Sequence, residues 1–86
     1  MKLHRYWFEF QSPRLPTGTR LGCGVTAVDR QDALRLLQNK VFGSENVPAI
    51  RAEHEDVEVG KLDANHVLPN MGDPTRRGIW FPLGYE

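Results

Sequence analysis

The sequence predicts an α+β fold: a three- to four-stranded, mainly antiparallel sheet in strand order 2-1-3, one helix on one face, and a long ordered C-terminal tail. Three observations predict it. An aromatic-rich run near the N-terminus alternates with period two, as a strand does. A fifteen-residue stretch, DRQDALRLLQNKVFG, carries a helical apolar stripe between a capping aspartate and a closing glycine. The final quarter, LDANHVLPNMGDPTRRGIWFPL (residues 62–83), is broken by three prolines and two glycines, so it is irregular chain fastened to a core.

In chain order, residues 2–10 form the first strand, with Tyr6, Phe8 and Phe10 on one face and Leu3, Arg5, Trp7 and Glu9 on the other. Rings on both faces place this strand in the middle of the sheet. QSPRLPTGT is a loop. Residues 20–28, RLGCGVTAV, form a second strand: Leu21, Cys23, Val25 and Ala27 face the core, and Gly22 and Gly24 share the other side. Two glycines on one face weaken a strand unless something approaches closely, and Trp7 is positioned to lie across them. In the helix, Asp29 is the N-cap and Asp32 stands at the capping-box position. Ala33, Leu34, Leu37 and Val41 make the buried stripe, with Leu36 and Phe42 at its margins, and Gly43 ends it. Residues 49–59, AIRAEHEDVEV, form a charged edge strand whose apolar parity changes, so a bulge or bend is expected near residues 54–56. LDANHV makes one turn capped by Asp63, and GIWF is a short fourth strand ended by Pro82. A right-handed crossover then sets the third strand beside the first and antiparallel to it. The helix covers the Tyr6/Phe8/Phe10 face, and the Trp7 face stays open unless the tail covers it.

Eighty-six residues make one domain, 1–86, with one thin core. Eleven basic and eleven acidic groups balance, which argues against nucleic acid as the partner, because phosphate binding needs a basic excess. The balance is uneven along the chain: residues 1–43 hold seven basic and three acidic groups, residues 44–86 four and eight. Much of that acidity is Glu53, Glu55, Asp56 and Glu58, read as a solvated edge, with partner steering as the sharper alternative. Cys23 is alone, which fits a reducing, cytoplasmic setting. The N-terminal run has no apolar segment resembling a signal peptide, and no stretch approaches the ~20 apolar residues of a membrane span.

Chemistry-bearing residues each have a bland reading. His4, His54, His66 and Cys23 show neither C-x-x-C nor H-x-x-x-H spacing, so no metal site is expected, although His66 and Asp73 could meet around a turn. Cys23 falls on the core face of a strand and reads as an inert thiol. The tail is richest: His66 can donate and accept, Asn70 and Asp73 can hold turns or a ligand, Arg76 and Arg77 can fork around an anion, and Trp80 can stack or fill a core. No nucleophile, base and orienter stand together, so no catalytic residue and no cofactor is assigned.

The runs YWFEF, GCGVTAVDRQDALRLL and LDANHVLPNMGDPTRRGIWFPL together resemble a group of short bacterial proteins described only as small α/β domains without assigned function. The resemblance implies a bacterial, cytoplasmic setting and brings no activity, cofactor or site residue. The function expected from the residues is a small non-catalytic interaction module for a protein partner, acting through His66, Asn70, Asp73, Arg76, Arg77 and Trp80. The alternative is a small-ligand or enzymatic domain, with His66 as the working group and Arg76 and Arg77 holding an anion. Monomer and homodimer both remain open: a bare Trp7 face would pair two copies, and a tail covering it would leave one.

Overall fold

The computed structural model describes residues 2–11, 15–16, 18–43 and 46–85; part of the expected loop at 11–19 therefore lies outside the described residues. Strand β1 spans His4–Phe10, β2 Cys23–Ala27, helix α1 Arg30–Leu37, β3 Ile50–Glu55 and β4 Gly78–Phe81. A π-helical turn, Gln38–Phe42, prolongs α1, and short 3-10 turns occupy Val59–Lys61 and Leu68–Asn70. The Cα radius of gyration, 11.6 Å, is that of a well-packed chain of this length, for which about 12 Å is expected.

The fold class is α+β, and each strand pairing is antiparallel. The expected strand order 2-1-3 is corrected to β3-β1-β2-β4, because GIWF, the short fourth strand that this order left unplaced, pairs with the outer edge of β2. β1 therefore shares the interior of the sheet with β2. The second strand is also shorter than its parity suggested. Gly22 has φ +133°, which breaks the alternation and turns Leu21 outward to 45% exposure, although parity had placed it in the core.

On the helix side, Tyr6, Phe8 and Phe10 from β1 meet Val25, Leu37 and Ile79 in one buried cluster. Asp29 caps α1, accepting from Asp32 N at 2.8 Å. The helix is rolled slightly from the expected stripe: Leu36 and Phe42 are buried and Leu34 is half-buried. Asp32 lies inside, at 4% exposure, because Arg77 at the start of β4 reaches it.

The opposite face has a smaller cluster of Trp7, Val67, Trp80 and Phe81, flanked by half-buried Val57, Val59, Leu62 and Met71. A register shift between Gly24 and Val25 leaves Trp80 unpaired between Ile79 and Phe81. This bulge sends Ile79 to the helix side and both Trp80 and Phe81 to the other. A side chain at Gly22 would meet Phe8 O at 2.6 Å and the Trp7 ring at 2.9 Å; one at Gly24 would collide with the Trp80 ring. Each glycine thus lies under a tryptophan. In β3 the parity change occurs at a bend at Asp56 (φ 55°), which ends the strand and frees Val57 and Val59 to turn toward Trp7. A separate irregularity lies earlier, where Glu9 pairs Ala52 but Phe10 pairs Ile50.

Candidate functional site

The tail residues separate into two groups at opposite ends of β4. A four-residue strand advances about 13 Å at ~3.3 Å per residue, so groups before Gly78 and after Phe81 stand well apart.

At the start of β4, Asp73 accepts from Thr75 N (2.8 Å) and Thr75 Oγ1, which makes a tight Asx turn. Those hydrogen bonds hold its carboxyl below the usual range, with a further lowering from the charge of Arg76. Thr26 Oγ1 donates to Pro74 O at 2.6 Å and ties this turn to β2. Arg77 forks onto Asp32, Nε donating to Oδ2 at 2.8 Å and Nη2 to Oδ1. Val28 N also donates to Asp32, at 3.1 Å. The Arg77 hydrogen bonds, followed by that of Val28, lower the Asp32 pKa to about 2 despite burial. Arg77 is thereby a clamp between β4 and the first turn of α1. Exposed Arg76 shares with it and Asp73 a depression of about 410 Å³.

At the far end, Asp63 Oδ1 accepts from Asn65 N (2.8 Å) and His66 N (3.2 Å), while its Oδ2 meets His66 Nδ1 at 3.0 Å. The Asn65 bond first, then the imidazole, holds the Asp63 carboxyl down. Asn70 Nδ2 donates to His66 O at 2.8 Å, and Leu83 N donates to Asn70 O at 3.2 Å. This chain of bonds shapes a second depression, about 350 Å³, between His66, Asn70, Leu21, Phe81, Pro82 and Leu83. His66 Nε2 and Asn70 Oδ1 have no hydrogen-bond partner among the described residues.

Trp80 joins neither group. It is 1% exposed, its ring centroid 6.1 Å from that of Trp7. Its Nε1 is a buried donor without an acceptor among the described residues, whereas Trp7 Nε1 donates to Glu9 at 3.3 Å. Cys23 is fully buried, and burial pushes its thiol up to about 12.

Sequence reasoning gathered His66, Asn70, Asp73, Arg76, Arg77 and Trp80 on one surface, with His66 meeting Asp73 or working beside the two arginines. His66 and Asn70 instead lie at one end of β4, Asp73, Arg76 and Arg77 at the other, and Trp80 is buried. It missed Leu21, which parity had assigned to the core, and Leu83, which carries no chemical signature. It also missed Asp32 as the partner of Arg77, since the two are 45 positions apart. No protein-family model, curated protein or solved structure matches this chain. Among the described residues, no helix is long and apolar enough to cross a membrane.

Proposed function

We propose that this chain is a small non-catalytic binding module that receives a protein partner at the depression beside the end of β4. One observation carries the reading. Leu21 and Leu83, at 45% and 51% exposure, flank the same hollow as the unpartnered His66 Nε2 and Asn70 Oδ1. Apolar groups with a polar rim that still has hydrogen-bonding capacity are the makings of a protein contact. Irregular chain carried on a rigid sheet suits recognition. Binding is favoured over catalysis because the reactive groups already have structural work: Arg77 holds Asp32, His66 Nδ1 holds Asp63, and Cys23 is enclosed.

The test is capture from a source lysate with the wild type, Leu21→Asp/Leu83→Asp and Arg35→Asp, the last lying on the exposed side of α1. A protein retained by the wild type and Arg35→Asp, and lost from the leucine variant, supports the reading. A protein held equally by all three, or none enriched by the wild type, overturns it.

A further inference from the structure

The geometry points to a divalent transition-metal site at the opposite edge of the sheet, formed by His4, Glu55 and Asp56; we propose that it binds a zinc-like ion. His4 opens β1, and the antiparallel register sets Tyr6 opposite Glu55 at the end of β3. Val57 N then donates to Arg5 O at 3.1 Å, which carries Asp56 alongside the start of β1. One donor atom from each of His4, Glu55 and Asp56 falls within 4.8 Å of the other two. His4 Nδ1 and Asp56 Oδ1 are already 2.8 Å apart. Four-coordinate zinc sets its donors about 3.3 Å from one another, from bonds of about 2.0–2.1 Å. Rotation of the exposed Glu55 and Asp56 side chains supplies the adjustment.

Charge accounts for why these three stand out from the acidic run around them. Arg30 forks Glu53 through bonds of 2.8 and 2.9 Å, and Lys61 meets Glu58 at 3.3 Å. Glu55 and Asp56 have no lysine or arginine partner among the described residues; Glu55 accepts only from Tyr6 OH, at 3.1 Å, and Asp56 meets only His4. Two carboxylates are thus left against one imidazole, and a dication would neutralise them. The tyrosine hydroxyl donates to Glu55 Oε1, the kind of hydrogen bond that outer partners make to ligating carboxylates. The imidazole decides the class of ion: nitrogen with carboxylate oxygens suits zinc, cobalt or nickel, whereas magnesium and calcium favour all-oxygen sets.

The experiment is competition for Zn²⁺ between the full chain and a chromophoric chelator, with ¹⁵N-edited spectra of the histidine rings read in parallel. The expected result is one saturable site per chain, a shift of the His4 ring nitrogens, and affinity reduced at least tenfold in both His4→Ala and Glu55→Gln. His54→Ala and His66→Ala should stay within about twofold of the wild type, because His54 follows the other parity of β3 and His66 lies beyond β4. Millimolar Mg²⁺ or Ca²⁺ should not displace the zinc. Circular dichroism of the His4→Ala and Glu55→Gln variants separates lost ligation from lost folding; if either is unfolded, the ring shifts in the wild type decide. Binding that survives His4→Ala in the folded variant, follows His54 or His66, leaves the His4 ring unshifted, or never saturates would overturn the proposal.

Discussion

The two faces of the sheet are built on different principles. The helix face is aliphatic and aromatic side chains interlocked under a regular element: Phe8, Val25 and Leu37 are completely enclosed. The other face is covered by irregular chain, and its closeness depends on absence of side chains: Gly22 lies under Trp7, and Gly24 under Trp80. On the first face, stability is spread over many contacts of small individual energy. On the second, it is concentrated in two ring-on-backbone contacts and a few hydrogen bonds, such as Gly72 N to Trp80 O at 2.7 Å. A face made of irregular chain leaves its polar groups at the surface, which is where the hollow beside the end of β4 lies.

The largest expected effect breaks that second face with one methyl group. Gly24→Ala puts a Cβ into the Trp80 ring and should destabilise by about 2–4 kcal/mol, measured as the urea midpoint and the loss of the buried tryptophan emission. Combining it with Trp80→Leu should give a coupling of at least ~1 kcal/mol, because the shorter side chain vacates the collision. Gly22→Ala is expected to cost as much but to resist rescue by trimming Trp7. Its Cβ also meets the Phe8 carbonyl oxygen at 2.6 Å, and its φ of +133° suits only glycine. Rescue of both glycine variants alike would mean that ring packing alone, not backbone geometry, fixes this face.

These contacts also mark how far the sequence could be read. The helix, its Asp29 cap and the alternation of Tyr6, Phe8 and Phe10 are local and periodic, so they were legible. The two glycines signalled a close approach, and Trp7 was the expected occupant; it covers Gly22. That Trp80 covers Gly24 follows from the bulge in β4, which no period announces. The place of β4 beside β2 was not legible either, since four residues offer too little pattern to choose an edge. Leu21 was misplaced because parity counting assumes a continuous strand, and Gly22 interrupts it. In the site, Asp63 as the cap of the His66 turn was readable from sequence. The Arg77–Asp32 and His4–Asp56 contacts join residues 45 and 52 positions apart and come only from the topology.

An intermediate effect tests the link between the two faces. Arg77 leaves β4 and clamps Asp32, so the irregular side is fastened to the helix side at one ion pair. The Asp32 pKa falls from 3.8 to about 2 in the folded chain. A depressed carboxyl stabilises fully above its unfolded value, so the contribution is complete above about pH 4 and is lost as pH falls toward 2. A shift of that size corresponds to about 2 kcal/mol, and solvent around the half-exposed Arg77 reduces it to ~1–2 kcal/mol. Asp32→Asn should lower stability by that amount at pH 7, and the difference from wild type should shrink between pH 4 and 2. Urea midpoints at each pH measure it; a difference that does not vary with pH would assign the loss to packing.

The smallest expected effect asks whether the hollow is a rigid piece of the fold or merely rests on it. Asn70 Nδ2 bridges to His66 O at 2.8 Å in an exposed turn, whereas the Leu83 amide bonds to the Asn70 backbone carbonyl, which any residue supplies. Asn70→Ala therefore removes one solvent-exposed hydrogen bond and should cost about 0.5–1 kcal/mol. Amide exchange is the sharper measurement, because it reads each layer separately. The amides of His66 to Asn70 should exchange faster in the variant, while those of Leu36 and Leu37 in α1 should slow or quicken only with the change in global stability. If the helix amides quicken as much as the turn does, the hollow is coupled to the core, and the contrast between the two faces is one of composition without a difference in cooperativity.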